Sequence, residues 1–211
     1  WPGKSLQGTA AVAFIVFEGG DGAGKSTQAR ALFRQMQRSG YPVILTREPG
    51  GTPLGETLRR LLKNRPGTTP LGELFLFLAA RAQLVQQVIQ PALQKQTSVI
   101  CDRFTASTVA YQGYGRGLDL RAIDQLNLLA SSGLSPDLNI LLDLPPQSIF
   151  DRKRTAERDK FDAAPQDFHQ RVWAGYLAQA SQDSRHWLAL DATRPRGALA
   201  LEIWQKVRPL L

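Results

Sequence analysis

The sequence contains very little cysteine and histidine. Cys101 is its one cysteine, and His169 and His186 are its two histidines, in a chain of 211 residues. A single cysteine excludes an internal disulfide and a cysteine-rich metal site, and two histidines argue against a histidine-based metal site. We therefore expect a protein that folds without disulfides or structural zinc and works in a reducing compartment, the cytoplasm.

Long apolar runs are also missing. The longest extends from Ala10 to Phe17, whereas a membrane-spanning helix needs about 20 apolar residues in succession. No basic segment is followed by a long apolar segment and a cleavage site, so the sequence predicts no signal peptide. These absences argue against a membrane partner.

Negative charge is the scarcer sign. The chain has 26 basic and 18 acidic residues, which gives a net charge of +8. Such an excess suits either a nucleic-acid-binding protein or a protein that handles small anionic substrates. The basic residues are spread along the chain, and around residues 152–160 acidic residues are interleaved with them. The charge alone leaves both interpretations open, together with that of a generally basic surface.

Short apolar segments alternate with longer segments of helical periodicity. Five runs are typical of strands: Val12–Phe17, Pro42–Thr46, Ser98–Asp102, Leu138–Asp143 and Trp187–Leu190. The predicted helices are Lys25–Arg38, Leu54–Lys63, Leu71–Gln94, Leu120–Ser131, Gln147–Arg158, Gln166–Ser181 and Ala198–Val207. This alternation predicts a three-layer α/β fold in which helices cover both faces of a parallel sheet of about five strands. We expect residues 1–211 to form a single domain, since no repeat or linker is present.

A glycine-rich segment follows the first predicted strand directly. It matches the pattern G-x-x-x-x-G-K-[ST] and consists of Gly19, Gly20, Asp21, Gly22, Ala23, Gly24, Lys25, Ser26 and Thr27. Glycines let backbone N–H groups turn toward phosphate oxygens, and the following helix directs the positive end of its dipole to the same anion. Lys25 is predicted to contact the β- and γ-phosphates, and the Ser26 hydroxyl to bind Mg²⁺. The segment predicts a nucleoside triphosphate site, which GTPases, ATPases and small-molecule kinases share.

Two arginines follow predicted strands at positions where a ligand is expected. Arg47 and Arg103 come at the carboxyl ends of the second and third strands, the edge of a parallel sheet that binds ligands. Phosphoryl transfer onto a phosphate monoester brings two polyanions together, and guanidinium groups can neutralise them. Each arginine alone is equally consistent with a surface ion pair. Asp102, at the same edge, is a candidate for holding Mg²⁺ through water, for orienting Arg103, or for a purely structural pairing with it.

The third predicted helix contains an aromatic–arginine pair. Phe77 and Arg81, spaced i, i+4, lie on one face of it. Such a ring can stack on a planar base while the guanidinium donates to a base carbonyl. Phe77 stands among leucines, however, and by itself is more typical of a core position.

Three blocks of sequence resemble the thymidylate kinase family, and the resemblance runs from the phosphate loop almost to the C-terminus. Besides the glycine-rich segment, residues 46–52 read T-R-E-P-G-G-T and residues 102–113 read D-R-F-T-A-S-T-V-A-Y-Q-G. A guanine-selecting N-K-x-D segment, which a GTPase would need, is absent. The resemblance implies a P-loop kinase that uses ATP and Mg²⁺ to phosphorylate dTMP. It also implies a homodimer, and we expect no nucleic-acid partner.

The same resemblance assigns roles to further residues. Asp21 matches a carboxylate that contacts the 3′-hydroxyl of the acceptor, with a turn-stabilising aspartate as the alternative. Thr108 and Gln112 match positions that face the base, although both are also consistent with bracing their helix. Tyr111 matches a tyrosine that excludes a ribose 2′-hydroxyl. Glu48 is expected to steer the preceding arginine or to help place the acceptor and the metal.

A basic segment after the fourth strand resembles the lid of bacterial-type thymidylate kinases. Arg154 and Arg158 are spaced i, i+4, and the resemblance implies that one of them stabilises the transferring phosphoryl group. In that subgroup the phosphate loop lacks an arginine, and an arginine of the lid contacts the phosphates instead. The present chain agrees with this pattern, because position 22 of its phosphate loop is glycine. The chain departs from the family pattern D-R-F-E with D-K-F-D at residues 159–162, and carries Phe104 where tyrosine is usual. An exposed helix of mixed charge is the alternative.

Two other functions compete with that of a dTMP kinase. A deoxynucleoside kinase would need a carboxylate base near a neutral 5′-hydroxyl and less positive charge, which the two strand-end arginines argue against. A nucleotide-dependent nucleic-acid binder would need a basic groove with interleaved aromatic residues, and the sequence shows no such pattern. For the favoured function, the predicted catalytic residues are Lys25, Asp102, Arg103, Arg154 and Arg158.

Overall fold

A five-stranded parallel sheet forms the centre of the computed structural model, which describes residues 11–64, 67–148 and 165–211. Its strands are β1 (Phe14–Glu18), β2 (Val43–Arg47), β3 (Ser98–Asp102), β4 (Leu138–Asp143) and β5 (Trp187–Asp191). They lie in the order β2-β3-β1-β4-β5, and all neighbours are parallel. The predicted α/β fold with a parallel sheet is confirmed.

Helices connect the strands and cover the sheet. They are α1 (Lys25–Arg38), α2 (Pro53–Asn64), α3 (Pro70–Leu84), α4 (Gln90–Gln94), α5 (Thr105–Thr108), α6 (Leu120–Ala130), α7 (Gln166–Gln182) and α8 (Arg196–Val207). Two stretches of π-helix, Val85–Ile89 and Val109–Gly115, follow α3 and α5, and a 3₁₀ turn covers Arg208–Leu210. Across the described ranges, no helix combines the length and the apolar character needed to cross a membrane.

The sheet is apolar on both faces. In β1, Ile15 and Phe17 belong to a core formed with α1 and α8, whereas Phe14 and Val16 belong to a second core beside the end of α3. All residues of β1 are buried, including the charged Glu18. Continuous burial of this kind is typical of a strand covered by helices on both sides.

The third predicted helix is interrupted. The sequence predicts one helix over Leu71–Gln94, but α3 ends at Leu84 and a π-helical turn separates it from α4. Pro91 explains the difference, because it has no N–H to donate to the turn before it, and a wider turn accommodates the lost hydrogen bond. The N–H of Gln90 bonds the carbonyl of Val85 across this wider turn.

The remaining predictions agree with the structure to within a few residues, with two exceptions. The short α5 and the π-helix that follows it, Val109–Gly115, were not predicted. The predicted helix Gln147–Arg158 lies, from residue 149 onward, outside the described residues.

The carboxyl ends of β1, β2 and β3 meet at one edge of the sheet. Arg47 and Asp102, the last residues of β2 and β3, are partners in register. Arg103 follows in a left-handed conformation with a φ of 75°, and its N–H bonds the carbonyl of Phe17 at 2.9 Å. Open parallel sheets bind ligands at this edge, so the fold collects the predicted site residues where a ligand is expected.

Candidate active site

The glycine-rich segment forms a tight loop between β1 and α1, which we call the phosphate loop (residues 19–27). Gly19 has a φ of 133°, and a Cβ there would lie 2.6 Å from the carbonyl oxygen of Leu142. Gly24, just before α1, has a φ of 98°. Both conformations favour glycine over any other residue. The loop therefore lies at the N-terminus of a 14-residue helix, whose dipole favours an anion there.

The ammonium of Lys25 lies over the phosphate loop. Its Nζ donates hydrogen bonds to the carbonyl oxygen of Gly20 at 2.7 Å and to that of Gly19 at 3.0 Å. The side chain is buried, and this burial, together with the positive charge of Arg103, lowers the pKa of Lys25 to about 8. A bound anion would supply the opposite charge and favour the ammonium form again.

Ser26 and Asp102, the two predicted metal ligands, are neighbours. Ser26 Oγ donates a hydrogen bond to Asp102 Oδ2 at 2.5 Å. A hydroxyl beside a carboxylate is a pair of oxygen ligands of the kind that Mg²⁺ takes, with waters and phosphate oxygens completing its shell. Within the described residues, no cluster of three or more His, Cys, Asp or Glu side chains would hold a metal ion by itself. The pair thus fits a Mg²⁺ ion that is bound together with a nucleotide.

A cavity lies beside the phosphate loop, and we call it the acceptor cavity. Of the nine residues predicted to bind the acceptor, eight line it: Asp21, Glu48, Phe77, Arg81, Arg103, Thr108, Tyr111 and Gln112. The ninth, Arg47, lines a neighbouring cavity together with Ser26 and Asp102. Arg47 is exposed and forms an ion pair with Glu56 at 3.1 Å.

Two basic residues of α2 line the acceptor cavity without having been predicted to do so. These are Arg59, whose Nη1 donates to the carbonyl of Pro49 at 3.0 Å, and Lys63. Their i, i+4 spacing places both on one face of α2, and this spacing was the signal available in the sequence.

Arg103 is the centre of the network nearest the phosphate loop. Its Nη2 donates to Asp21 Oδ1 at 2.6 Å and to the Tyr111 hydroxyl at 3.2 Å. Its Nη1 donates to Ser107 Oγ at 3.1 Å and to the Tyr176 hydroxyl at 2.9 Å. The Tyr111 hydroxyl in turn donates to Asp21 Oδ2 at 3.0 Å. Arg103 therefore links the acceptor cavity directly to a carboxylate of the phosphate loop.

A buried carboxylate at the end of β1 supports this network. Glu18 accepts hydrogen bonds from Phe104 N–H at 2.8 Å, from Ser107 Oγ at 2.6 Å and from the Tyr176 hydroxyl at 3.2 Å. The two hydroxyls that donate to Glu18 are those that accept from Arg103, so the carboxylate fixes the direction of both. Burial raises the pKa of Glu18, against the opposing effects of Ser107 and Arg103. The sequence analysis missed Glu18, although a glutamate ending an apolar strand is an unusual placement.

Arg81 and Glu48 form a buried ion pair in the acceptor cavity. Arg81 Nε and Nη2 donate to Glu48 Oε2 at 2.9 and 2.7 Å. Arg81 also donates through Nη1 to Asn127 Oδ1 at 2.6 Å and through Nη2 to Thr108 Oγ1 at 2.9 Å. One role considered for Glu48 was to steer Arg47. In the structure, however, Glu48 pairs with Arg81, and Arg47 pairs with Glu56.

Phe77 and Gln112 complete this part of the cavity. Phe77 lies one turn before Arg81 on α3 and is partly buried against a core that includes Tyr111. Gln112 is buried, and its Nε2 donates to Oε1 of Glu73 at 2.9 Å. An aromatic face, a guanidinium and an amide thus line the same cavity, which is a set of groups able to recognise a pyrimidine.

The predicted lid arginines, Arg154 and Arg158, lie outside the described residues, as do residues 159–162. Their contact with the transferring phosphoryl group stays a prediction.

Comparisons with known proteins point to the same chemistry. A family model described as thymidylate kinase matches residues 17–203. Two proteins named thymidylate kinase are similar to the chain. The one from Synechococcus sp. (strain JA-3-3Ab) is 48% identical over 198 residues, which cover 94% of this chain and 96% of that protein. The one from Dehalococcoides mccartyi (strain CBDB1) is 47% identical over 200 residues, with the same coverage of both chains. The crystal structure of thymidylate kinase from Ehrlichia chaffeensis matches with a TM-score of 0.77 and 34% identity, covering 93% of this chain and 99% of that one. The chain therefore belongs to the thymidylate kinase family.

Proposed function

We propose that this chain transfers the γ-phosphoryl group of ATP to the phosphate of dTMP in one in-line step, with Mg²⁺ held at Ser26 and Asp102. As a member of the thymidylate kinase family, the chain is an ATP-dependent kinase that converts dTMP to dTDP. The observation that carries the residue assignments is the acceptor cavity, where cationic groups and a pyrimidine-recognising set lie beside the phosphate loop. Positioning and charge neutralisation account for such a transfer without a covalent intermediate.

The donor triphosphate is assigned to the phosphate loop. Backbone N–H groups and the α1 dipole would hold its phosphates, and Lys25 would exchange its bonds to the loop carbonyls for bonds to phosphate oxygens. Mg²⁺, when bound by Ser26 and Asp102, neutralises part of the phosphate charge. Those two residues are the support for this assignment, because their oxygens are already adjacent.

The acceptor phosphate is assigned to the end of the acceptor cavity at Arg103. This guanidinium adjoins the phosphate loop, so it can contact the acceptor phosphate and the group in transfer together. Arg59 and Lys63 add positive charge along the same cavity. Arg47 is retained as a phosphate contact, which requires its side chain to leave Glu56.

The thymine base is assigned to Phe77, Arg81 and Gln112. Phe77 would stack on the ring, while Arg81 donates to a base carbonyl and Gln112 hydrogen-bonds the edge of the base. Glu48 and Thr108 accept from the Arg81 guanidinium and so hold its plane fixed. A rigid guanidinium loses little freedom when the base binds, which favours affinity.

The deoxyribose is assigned to Tyr111 and Asp21. The Tyr111 hydroxyl is held by Asp21 and Arg103, so the ring cannot swing aside easily to admit a 2′-hydroxyl. Asp21 carries a carboxylate at the same point, where it can accept a hydrogen bond from the 3′-hydroxyl. Together the two residues would select a 2′-deoxynucleotide.

The alternative of a deoxynucleoside kinase is not favoured. An enzyme acting on a 5′-hydroxyl needs an available carboxylate base, and the carboxylate of the phosphate loop itself, Asp21, is engaged by Arg103 and Tyr111. Besides Arg81, three cationic side chains line the acceptor cavity, Arg59, Lys63 and Arg103, and these suit an acceptor that already carries a phosphate.

We further propose that the protein is a cytoplasmic homodimer without a nucleic-acid or membrane partner. Exposed apolar side chains on the packed helices α3 and α6 support a dimer: Leu71 and Phe75 are each 51% exposed, and Leu128 and Leu129 are 63% and 77% exposed. Large apolar groups grouped on adjacent helices mark an interaction surface more often than free surface.

The testing experiment is a coupled ADP-release assay with ATP and Mg²⁺ that compares dTMP, dUMP, UMP, dCMP and thymidine as acceptors. The proposal predicts that dTMP is the best acceptor, that UMP is poor and that thymidine is inert. Turnover of thymidine without turnover of dTMP would instead show a nucleoside kinase and remove the role given to Arg103. Equal turnover of UMP and dUMP would remove the role given to Tyr111.

A further inference from the structure

Gln112 is held by a second buried side chain that has no assigned role. Glu73, in the first turn of α3, is 1% exposed, and its Oε1 accepts the hydrogen bond from Gln112 Nε2 at 2.9 Å. Glu73, Phe77 and Arg81 follow one another at intervals of four residues, so all three lie on one face of α3. Helix α3 therefore supplies two of the predicted base contacts, Phe77 and Arg81, and its Glu73 is the hydrogen-bond partner of the other, Gln112.

We propose that Glu73 is a positioning residue that sets the base selectivity of this kinase by fixing the orientation of the Gln112 amide. The inference rests on the proposed function, in which Gln112 contacts the edge of the base. It adds the reason why that contact selects one type of pyrimidine.

The chemistry of the pair decides which end of the amide faces the ligand. An ionised carboxylate can only accept hydrogen bonds, so the group that Gln112 turns toward Glu73 must be its NH₂. Arg116 also lies on the carboxylate, with Nη2 3.3 Å from Glu73 Oε2 and Nε 3.4 Å from Oε1, so this neighbour too approaches the carboxylate with donors only. The oxygen and the nitrogen of a planar amide diverge from the same carbon, so an amide whose NH₂ is turned toward Glu73 has its oxygen turned away from Glu73. Gln112, which lines the acceptor cavity, therefore presents its carbonyl oxygen to the base.

A carbonyl oxygen at this place distinguishes the pyrimidines by the atom at ring position 3. Thymine and uracil carry an N–H there, which can donate to the Gln112 oxygen. Cytosine carries a bare nitrogen, whose lone pair would face that oxygen without a proton between them. A fixed amide therefore accepts thymine and uracil and rejects cytosine, because the wrong base leaves a buried polar atom unpaired.

The variant Glu73→Gln tests this reasoning, because it replaces an obligate acceptor by a group that also donates. Arg116 approaches both carboxylate oxygens, with Nη2 3.3 Å from Oε2 and Nε 3.4 Å from Oε1, so it does not impose one orientation on the new amide, and Gln112 loses the obligate acceptor that held its own amide in one direction. We expect kcat/KM for dTMP and for dUMP to fall about tenfold, as for one lost hydrogen bond, while that for dCMP is unchanged or rises. The dTMP-to-dCMP ratio then falls about tenfold or more, and the dTMP-to-dUMP ratio stays constant.

Ratios of kcat/KM measured on one preparation do not depend on the fraction of active enzyme, so partial unfolding of the variant does not mask the result. Glu73→Asp provides a second variant, because it keeps the charge but withdraws it from Gln112, and it should shift the same ratio in the same direction. A dTMP-to-dCMP ratio unchanged from wild type in both variants would overturn the inference.

A double-mutant cycle with Gln112→Met separates positioning from a general structural role. If Glu73 acts through Gln112, Glu73→Gln has no further effect on the ratio once the amide is gone. If the two effects multiply, Glu73 acts through the fold and the inference is wrong. Failure of the wild-type protein to phosphorylate dTMP would refute the proposed function itself, which is a result distinct from either outcome in the variants.

Discussion

Replacing Arg81 with methionine tests the energetic weight of the buried ion pair in the acceptor cavity. The side chains of Arg81 and Glu48 are 1% and 5% exposed, and Arg81 Nη2 lies 2.7 Å from Glu48 Oε2. The substitution leaves the Glu48 carboxylate buried without its counter-charge and takes a donor from Asn127 and from Thr108. Removing one partner of a buried ion pair destabilises a protein by about 3–5 kcal/mol.

We expect the melting temperature of Arg81→Met to fall by roughly 6–20 °C, at about 2–4 °C per kcal/mol for a domain of this size. Differential scanning calorimetry without ligand measures the change. The matched control is Arg194→Met, which breaks an exposed pair with Glu202, at 2.8 Å, and should cost at most about 1 kcal/mol.

Adding Glu48→Leu to Arg81→Met removes both charges and should restore part of the lost stability, since an apolar pair can occupy the site of a buried ion pair. Equal losses for Arg81→Met and Arg194→Met would refute the reasoning. A double variant less stable than Arg81→Met would also refute it, because the unpaired carboxylate would then not be the source of the loss.

Three further predictions concern the remaining site and the surface. Because burial lowers the pKa of Lys25 to about 8, kcat/KM for ATP should decline above that pH as the free enzyme loses its ammonium, while kcat persists to higher pH once phosphates restore the charge. A flat kcat/KM profile to about one pH unit above this pKa would contradict the assignment. Arg103→Lys keeps the charge but loses the guanidinium fork, and steady-state kinetics should show a loss of roughly 100-fold in kcat/KM for dTMP; a loss below about tenfold would contradict its role. Phe75→Glu places a charge on the exposed apolar surface of α3 and should convert a dimer to a monomer in light scattering, whereas a monomeric wild-type protein would refute the dimer.

The regular parts of the fold could be predicted because their signals are local. The predicted bounds agree with the structure for two strands, Ser98–Asp102 and Leu138–Asp143, and for the helix Lys25–Arg38. The signals for a buried strand and for a helix after a glycine-rich loop lie in consecutive residues, so they can be recognised in the sequence. The interruption of the third helix was also indicated by Pro91, although the continuous apolar pattern around it predicted a single helix. The π-helix Val109–Gly115 has no comparable signal in the sequence, because tertiary packing determines where a helix widens.

Most residues that line the candidate site could be predicted from the sequence, but the hydrogen bonds and ion pairs between their side chains could not. Phosphate chemistry and sheet topology indicate arginines at strand ends, and motif matching indicates the residues around a base. Which carboxylate meets which arginine depends on distances between elements. Steering of the neighbouring Arg47 was one of the roles considered for Glu48, whereas the structure pairs Glu48 with Arg81, 33 positions away. Glu18 and Glu73 were missed for the same reason: each acts on a side chain contributed by another element.

The position of Glu18 at the end of β1 has a mechanical consequence. The carboxylate that orders the Arg103 network and the first glycine of the phosphate loop are joined by a single peptide bond, at the end of the central strand of the sheet. In the proposed assignment, the phosphates of donor and acceptor would therefore both be positioned from the end of one strand, and the distance between them would not depend on the closure of two separate bodies. Chain length at this junction is therefore under as strict a constraint as residue identity. One residue inserted between Glu18 and Gly19 would shift the phosphate loop against Arg103 and so misalign the two phosphates, although no contact residue would be replaced.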